Sequence, residues 1–386
     1  MMLGGEKGEL MKKMLLVLLT CLLVIALVGC GNDGEDVENT SSTTVSNTDT
    51  PASENKDVLV KINSKAENIL FFGERETLNE NYFTCDSPAS GFEIKIKVEG
   101  GSLKLRIATS GSVKFCAWVD GVAQTAADGS EYFSVNGSRL LTLDGIADGE
   151  HTLRFIRVSD GIETAQIYEA IFKGEHLSYD VSDRYFIEFI GDEITSGGSV
   201  DNGKDNVTKA YSYLASEKLG ADRAVTVFEN AGFGNEGTLD LYGANGFKRN
   251  ADMIVINVGR YELAEKLSAD EYAEEYKAFI KKVRYLNGKS CKVLCLLTLD
   301  NSEYNNAIKA MLSSLGGDEY GNYFLESQVK SNGALTVGQH SAIAEELYTY
   351  ISLIKDATVE KVQLKTENDG AGSSIDYNGD EWILAN

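Results

Sequence analysis

A carboxylate stands where an apolar strand turns into a helix-like segment, in FIGDEITSG at residues 189–197. A strand-to-helix turn is a place where a fold can raise one reactive side chain out of its sheet. The raised residue is Glu193, although a hydroxyl nucleophile would make more chemical sense there. Asp192 and Glu262 are candidates for a carboxylate pair in glycosidic chemistry, but nothing in their spacing supports this beyond chance.

The segment around Glu193 belongs to a region in which apolar strands alternate with helical segments. The strand candidates are continuous rather than alternating in polarity, which indicates a parallel sheet covered on both faces. They read YFIEFIGD, AVTVFENAG, MIVINVG and KVLCLLTL, and the helical segments cover residues 208–219, 269–286, 302–315 and 341–353. Ligands of such sheets bind beyond the carboxyl ends of the strands. Those ends are Gly191-Asp192-Glu193, Ala231-Gly232-Phe233-Gly234 and Gly259-Arg260-Tyr261-Glu262.

Residues 58–180 follow a different pattern, of short alternating runs divided by Gly, Asp and Asn. The regular spacing of these runs, with no long helical stretch, predicts an all-β sandwich. The runs are FEIKIKVEG, LKLRIATSG, VKFCAWVDG, RLLTLDG and HTLRFIRVSDG. Trp118 in the third run is interpreted as a core residue rather than a sugar-stacking one, and His151 and His176 as surface or turn residues.

The N-terminus has the layout of a secretory signal, a basic Met11-Lys12-Lys13 followed by an apolar run from Met14 to Val28. The end of the run, Leu-Val-Gly-Cys, resembles the bacterial lipobox, in which the cysteine is lipidated after cleavage. We therefore expect residues 1–30 to be a lipoprotein signal peptide and Cys30 to be the lipid anchor that holds the protein outside the cytoplasm on the cell membrane. A plain transmembrane anchor is the alternative, but the run is short for one.

Two polar segments flank the regions with strand and helix patterns. Residues 31–57 are rich in Ser, Thr, Asn and Asp, and they do not bury enough apolar surface to offset the entropy lost on ordering. A disordered tether is therefore predicted there, and residues 359–386 are predicted to be a polar C-terminal tail. The net charge of −23 argues against nucleic acid as a partner and against a basic lipid-binding patch.

The cysteine and histidine pattern gives no sign of a metal site, and no cofactor is expected. Only three histidines are present, and no Cys/His cluster has zinc-site spacing. Cys291 and Cys295 lie in an apolar run and are interpreted as small core residues. The redox state of Cys85 and Cys116 outside the cell is left open by the sequence.

Four blocks within residues 184–358 together resemble the SGNH (GDSL-type) hydrolases. IEFIGDEITSG is similar to the first block of that family, with the serine replaced, and NAGFGN is similar to the second. DMIVINVGRYE resembles the third block, and GQHSAIAEEL resembles the last. Each block is short, but their order and spacing together are fairly specific. The resemblance implies a three-layer α/β domain with a parallel, flavodoxin-like sheet.

The preceding region narrows the resemblance to carbohydrate esterase family 2. VDG at residues 119–121 and DGEHTLRFIRVSD at residues 148–160 look like the N-terminal jelly roll of that family, and TKAYSYLASEKLGAD at residues 208–222 also fits it. The family consists of bacterial deacetylases that remove acetyl groups from plant polysaccharides and oligosaccharides. The resemblance, which covers nearly everything from Val58 to Leu353, thus implies a polysaccharide or an acetylated oligosaccharide as the partner.

The resemblance also implies roles for four positions. The nucleophilic serine of the family maps to Glu193, and its catalytic histidine, the general base, maps to His340. The oxyanion hole of the family combines the N–H of the nucleophile with a glycine N–H, which maps to Gly232, and an asparagine side chain, which maps to Tyr261.

This sequence departs from the family set at three points. Glu193 replaces the nucleophile, Tyr261 has no amide to donate, and no carboxylate lies two or three residues before His340. A carboxylate attacking an ester would give an anhydride, and the loss of one oxyanion donor alone typically costs about 100- to 1,000-fold in rate. We therefore expect a catalytically impaired homologue. The Glu193 carboxylate either is solvated at a helix start, or reaches the former oxyanion hole near Gly232 or pairs with His340.

Neighbouring hydroxyls offer a relocated nucleophile as an alternative. Thr195, Ser196 and Ser199 follow within the same segment, but a residue three positions further along a helix is displaced by about 4.5 Å along its axis.

Three functional hypotheses result. The favoured one is a surface-anchored, impaired carbohydrate esterase homologue that binds glycan through the old cleft. The others are an active deacetylase with a non-standard nucleophile or a histidine-activated water, and a structural lipoprotein scaffold.

Overall fold

The computed structural model describes residues 57–73, 78–159, 163–181, 184–228, 232–233, 239, 242, 250–288 and 291–357, and the backbone of residues 375–378 and 381–384. The predicted signal peptide at residues 1–30, the lipidation site Cys30 and the tether up to residue 56 lie outside the described residues. The same holds for most of the predicted tail. In the part of the chain that is described, no helix is long and apolar enough to cross a membrane.

The first part of the described chain is antiparallel β-structure, as the short alternating runs predicted. Its strands are β1 (Asp57–Lys61), β2 (Ile69–Phe72), β3 (Phe83–Thr84), β4 (Gly91–Val119), β5 (Val122–Ala123), β6 (Phe133–Asp144), β7 (Gly149–Arg157) and β8 (Ala165–His176). β4 pairs with β2, β5, β6, β7 and β8, and β8 also pairs with β1 and β3. Buried and exposed side chains alternate along much of these strands, because successive side chains point to opposite faces.

Three strand candidates of the sequence form one continuous β-segment, β4. They are joined at Gly100 and Gly101, whose φ angles are 87° and 76°, and the register against β6 shifts between Ala108 and Ser112. Glycine adopts positive φ without a side-chain clash, and a register shift of this kind increases the local bend. The chain therefore changes direction without leaving the sheet.

The inward-facing side chains of these strands form a single apolar cluster. Phe92, Phe115 and Phe155 are fully buried in it, and the stacked rings of Phe115 and Phe155 have centroids 4.7 Å apart. Burying a side chain of this size stabilises the fold by about 1.5–3 kcal/mol relative to leaving it exposed. The cluster thus gives this part of the chain its own core.

A five-stranded parallel sheet follows. It consists of β9 (Phe186–Gly191), β10 (Asp222–Val227), β11 (Met253–Asn257), β12 (Lys292–Leu297) and β13 (Asn322–Glu326), in the order β10-β9-β11-β12-β13. β9, β11 and β12 are buried along their whole length. Continuous apolar strands are expected of a parallel sheet with helices on both faces, as the sequence predicted.

Helices cover the two faces of the parallel sheet. Alternate strand residues face alternate sides, so that Phe189 packs in one buried cluster and Ile190 in another. On the Phe189 side lie α1 (Tyr211–Leu219) and α5 (Val337–Ile354). On the Ile190 side lie α3 (Ala269–Asn287) and α4 (Ser302–Ser314), and the short α2 (Arg260–Glu265) follows β11.

The largest shift of a predicted helix boundary concerns α5. The sequence placed this helix at residues 341–353, but it begins at Val337, because Thr336 and Gln339 form a reciprocal capping box. His340 therefore lies inside the first turn of the helix. Strand β13 and helix α2 were not predicted. In the predicted tail, β14 (Ile375–Asn378) and β15 (Glu381–Leu384) pair as an antiparallel hairpin.

The antiparallel and parallel sheets meet in a shared buried cluster. Phe72 and Ile156 of the first sheet pack there with Tyr213 of α1 and Val225 of β10. The backbone N–H of Gly73 donates to the carbonyl of Arg223 at 2.9 Å, which joins the end of β2 to β10. Residues 55–386 accordingly form one compact unit. The division at residues 180–184 and the finer descriptions as a jelly roll and a flavodoxin-like sheet stay predictions.

Candidate functional site

Glu193 lies in a turn that follows β9, but the helix predicted to begin there is absent, since residues 192–200 are turns and bends. Its backbone carbonyl accepts hydrogen bonds from the N–H of Gly198 at 2.6 Å and from the hydroxyl of Ser196 at 3.0 Å. The side chain is exposed, and no hydrogen bond or ion pair joins its carboxylate to any other described residue. The backbone of the turn is thus tightly held, while the carboxylate points to solvent.

Asp192 is the carboxylate of this turn that is held in place. It is buried, accepts from the N–H of Ile194 at 3.1 Å, and lies 3.2 Å from the Arg260 guanidinium. Burial raises the pKa of Asp192, and the charge of Arg260 offsets only part of that increase. Asp192 therefore has a structural environment.

His340 is fully buried, and its ring accepts a hydrogen bond from the backbone. The N–H of Tyr211, at the start of α1, donates to His340 Nδ1 at 3.2 Å. The two aromatic rings stack with centroids 5.7 Å apart and planes inclined by 20°. His340 Nε2 is buried without a hydrogen-bond partner among the described residues.

The state of the His340 imidazole follows from these contacts. Because Nδ1 accepts a hydrogen bond, we assign the proton of the neutral ring to Nε2. Burial, with a smaller effect of the Arg260 charge, lowers the pKa of His340 to about 4. The ring is therefore neutral at neutral pH. Its only free nitrogen is a donor, whereas a general base must present a lone pair to the nucleophile.

Tyr261 occupies the space next to Gly232. A Cβ atom on Gly232 would lie 1.9 Å from Cδ1 and 2.6 Å from Cγ of the Tyr261 ring, so the ring packs directly against the glycine Cα. In the resemblance these two positions supply oxyanion donors. Here carbon atoms of the Tyr261 ring lie against Gly232, and ring carbons supply no hydrogen-bond donor of the kind that an asparagine amide would give a developing oxyanion.

A hydrogen-bonded chain fills the region beneath the turn. The Tyr211 hydroxyl contacts the Thr195 hydroxyl at 2.8 Å and accepts from the Asn257 amide at 3.0 Å. The Thr298 hydroxyl donates to Asn257 Oδ1 at 2.9 Å, and Arg260 Nη2 lies 3.0 Å from the Thr298 hydroxyl. Each of these side chains thus has a hydrogen-bond partner within the region, although Arg260 Nε is buried without one among the described residues.

Arg260 is the residue of this site that sequence reasoning missed. It lies three residues after the end of β11 in VINVGRYE, at a strand end where ligand-binding residues were expected. That position was the available signal, but its contacts with Asp192 and Thr298 depend on the folded sheet. Arg260 supplies the positive charge at the centre of the site.

Glu262 is buried and does not form a pair with Asp192. Its Oε1 accepts from the N–H of Phe233 at 2.8 Å, and Oε2 is buried without a hydrogen-bond partner among the described residues. Burial raises the pKa of Glu262 to about 7. The glycosidic pairing considered from the sequence is therefore not seen, because each carboxylate has a separate partner.

The alternative nucleophiles are not directed at His340. Ser196 is buried and its hydroxyl donates to the Glu193 carbonyl. Thr195 contacts Tyr211, and Ser199 is exposed at a φ of 57°. In the part of the chain that the structure describes, no nucleophile–base hydrogen bond involves His340. The hypothesis that Glu193 pairs with His340 is wrong in this arrangement, since one side chain is exposed and the other is buried.

The remaining sequence candidates lie apart from this site. His151 contacts Asp120 at 2.7 Å, and His176 ends β8 half-buried. Cys85, Cys116, Cys291 and Cys295 are buried free thiols. Trp118, interpreted as core, packs only partly against a buried cluster and also lines a cavity. Across the described ranges, no group of three or more His, Cys, Asp or Glu residues is arranged to hold a metal ion.

Solved structures resemble this chain in fold, while no protein-family model and no curated protein sequence matches it. A family two carbohydrate esterase from Clostridium thermocellum in complex with cellohexaose is 21% identical, with a TM-score of 0.64 over 74% of this chain and 98% of that chain. One from Cellvibrio japonicus is 16% identical, with a TM-score of 0.63 over 78% and 99%. An acetyl xylan esterase from the rumen bacterium Butyrivibrio proteoclasticus is 14% identical, with a TM-score of 0.63 over 77% and 98%.

These similarities show that the chain shares the overall fold of these esterases. The parallel sheet with helices on both faces that the four sequence blocks implied is present, while its description as flavodoxin-like stays a prediction. A fold hosts many activities, so function has to be argued from the residues of the site.

Proposed function

We propose that this chain is a cell-surface homologue of carbohydrate esterases that hydrolyses acetyl esters poorly or not at all and associates with polysaccharide. The arrangement of His340 carries the first half of the proposal. Its Nδ1 accepts from Tyr211 and its Nε2 holds the proton, so the ring offers no base to a nucleophile. The exposed Glu193 carboxylate and the ring of Tyr261 against Gly232 support the same conclusion.

Polysaccharide association is supported by the fold and by the charge. One structure of similar fold holds cellohexaose, and another is of an acetyl xylan esterase. The net charge of −23 argues against binding of anionic nucleic acid and neither attracts nor repels a neutral glycan. The lipobox-like end of the signal, with Cys30 as the anchor, supports a position on the outer side of the cell membrane.

Acetate release tests the catalytic half. Protein from Gly31 onward is incubated with acetylated xylan and with a small acetyl ester, beside a His340→Ala variant. We expect equal, background-level release from both proteins, because His340 does not act as a base. Release by the native protein that disappears in the variant would establish an active deacetylase and overturn the proposal.

Affinity electrophoresis tests the binding half. We expect the native protein to be retarded in gels that contain xylan, mannan or a soluble β-glucan, relative to its mobility in a gel without polysaccharide. Unchanged mobility in all of these gels would favour the structural scaffold instead.

A further inference from the structure

A cavity of about 660 Å³ lies where the antiparallel sheet meets α1. We call it the Trp118 cavity; it is lined by Trp118, Asp120 and Arg154 of the first sheet and its turns, and by Tyr213 and Glu217 of α1. Small-molecule sites in proteins typically measure roughly 300–1,000 Å³. The cavity is separate from the site around His340. Tyr213 of α1 lines the cavity and packs in one buried cluster, whereas Tyr211 of the same helix, which contacts His340, packs in another.

Trp118 gives the cavity an aromatic wall. The residue is half-buried near the end of β4, where one part of it packs against the cluster that contains Phe72 and Tyr213. No hydrogen bond joins the indole to another residue of the described chain. An indole that has an apolar face and an N–H donor at a cavity wall suits a ligand with both apolar and polar surfaces.

The polar wall consists of side chains whose orientation is fixed. Arg154 donates to Glu93 through Nε and to Glu217 through Nη1, and the Tyr179 hydroxyl donates to Glu93. Glu217 also accepts from Arg223 at 2.6 Å. A carboxylate only accepts and a guanidinium only donates, so their alternation matches hydroxyl groups, which do both.

A tight turn adds one more carboxylate at the cavity. Asp120 and Gly121 connect β4 to β5 with φ angles of 50° and 76°, the two positive values that a two-residue hairpin turn requires. The turn is fixed because Asp120 accepts from the N–H of Thr152 at 2.8 Å and contacts His151 at 2.7 Å. The Asp120 carboxylate is thus held in a defined position and remains exposed.

The charges of the wall select against an anionic ligand. Three carboxylates line the cavity, those of Glu93, Asp120 and Glu217. Arg154 is the cationic side chain among the described residues of the lining. The Arg154 charge is already shared between two carboxylates. A phosphate or a uronate would therefore meet net repulsion, while a neutral polyol would not.

We propose that the Trp118 cavity binds a neutral saccharide whose ring stacks on the indole and whose hydroxyls bond to the Glu93, Arg154 and Glu217 wall. The assignment rests on the polysaccharide association proposed above, but it locates the binding away from the former esterase centre. A sugar ring has a face of C–H groups and an edge of hydroxyls, which are the two surfaces that this cavity provides.

Intrinsic fluorescence tests the assignment without perturbing the cavity. The chain has two tryptophans, Trp118 and Trp382, so a Trp382→Phe variant of the full chain leaves Trp118 as the sole indole. Titration with cellohexaose, xylohexaose and mannohexaose should give a saturable change in emission with at least one of them. The same midpoint should appear in calorimetry with the native chain.

Substitutions then connect the signal to affinity. Trp118→Ala should weaken the binding on the order of tenfold or more, as expected for a buried aromatic anchor, and Trp118→Phe should lose less. Tyr348→Ala, which removes an exposed aromatic of α5 outside the cavity, serves as the matched control and should bind as the native chain does. Circular dichroism and the unfolding midpoint establish that each variant is folded.

Two outcomes distinguish a failure of the cavity assignment from a failure of the proposed polysaccharide association. Calorimetric binding with no change in Trp118 emission, and with full affinity in Trp118→Ala, would overturn the cavity assignment but keep polysaccharide association. No heat and no emission change with any of the three oligosaccharides, together with unchanged mobility in polysaccharide gels, would overturn both.

Discussion

The backbone N–H of Tyr211 donates to Nδ1 of His340 at 3.2 Å, and this contact determines what the imidazole does. In a nucleophile–histidine pair the base nitrogen is unprotonated because the other nitrogen donates its proton to an oriented acceptor. Here the roles of the two nitrogens are reversed. The start of helix α1 therefore fixes the tautomer that is unsuited to catalysis, whichever side chain stands at position 193.

Restoring a serine at the turn is expected to leave hydrolysis at background level. Glu193→Ser supplies a hydroxyl, but His340 Nε2 carries a proton and Tyr261 still packs against Gly232. Release of 4-nitrophenol from its acetate ester, compared between the native chain and the variant, measures the effect. The double variant Glu193→Ser/Tyr261→Asn should also remain at background, because the tautomer is unchanged.

A gain of activity in Glu193→Ser that is lost on adding His340→Ala would contradict this account. It would mean that the Tyr211 contact is broken during the reaction, so that the ring exchanges its tautomer. Glu345→Ser, at an exposed position of α5, is the control for a nonspecific effect of adding a serine.

Two buried groups should make the free energy of unfolding depend on pH in opposite directions. The folded pKa of His340 is about 4, below its usual 6.5, so the unfolded chain binds more protons between these values and stability falls as the pH falls from about 6.5 to 4. The folded pKa of Glu262 is about 7, above its usual 4.5, so stability falls as the pH rises from about 4.5 to 7. The native chain should show partial compensation.

Single substitutions should separate these two dependences. In His340→Asn the side-chain oxygen replaces Nδ1 as the acceptor for Tyr211, and the acid-side loss of up to about 3 kcal/mol should disappear. In Glu262→Gln the loss on the alkaline side should disappear. Urea unfolding of the native chain and both variants across pH 4 to 7 measures this. Parallel pH curves for the native chain and His340→Asn would contradict the burial of a neutral imidazole.

A methyl group on Gly232 should destabilise the protein through Tyr261. Gly232 has no left-handed φ, so alanine carries no backbone strain there, but its Cβ would lie 1.9 Å from the ring. Overpacking of this kind costs about 1–3 kcal/mol. Gly232→Ala should lower the free energy of unfolding by that amount, and Tyr261→Ala should remove most of the penalty in a double-mutant cycle. Additive effects would mean that the ring does not contact the glycine.

The fold was largely predictable because it depends on local patterns. Continuous apolar runs such as MIVIN became buried parallel strands, and the alternating runs before residue 180 became antiparallel ones. Strand β13 was missed, since NYFLE is short and half exposed. The merging of three runs into β4 was also missed, because Gly100 and Gly101 read equally well as a turn between strands and as a bend within one.

The roles assigned to the candidate site residues stay predictions, and the contacts of these residues were not predictable from the sequence. Motif order placed Glu193, Gly232, Tyr261 and His340 at the carboxyl edge of the sheet and at a helix near it. The acceptor role of His340 depends on the backbone of Tyr211, which lies 129 residues away in the chain. Arg260 was overlooked because its partners come from other strand ends. Such long-range contacts leave no mark in local spacing.

The ion-pair network between the two sheets should contribute more to stability than a surface pair does. Glu217 accepts from Arg154 of the first sheet and from Arg223, whose fully buried guanidinium lies 3.9 Å from the Tyr213 ring centroid. Glu217→Gln leaves two partly or fully buried guanidinium groups short of a counter-charge, which is costly in a region of low dielectric. With the carboxylate one-third exposed, we expect a loss of roughly 1–3 kcal/mol in the free energy of unfolding by urea.

Glu345→Gln is the matched control, because Glu345 pairs with Lys218 at 2.7 Å but both side chains are largely exposed. It should change the free energy of unfolding by less than about 1 kcal/mol. The Glu217 variant should also unfold with a smaller dependence on salt than the native chain, since it has lost one partner of a charge network. Equal effects of the two substitutions would mean that the network adds nothing beyond the apolar packing of Phe72, Ile156 and Tyr213 at the junction.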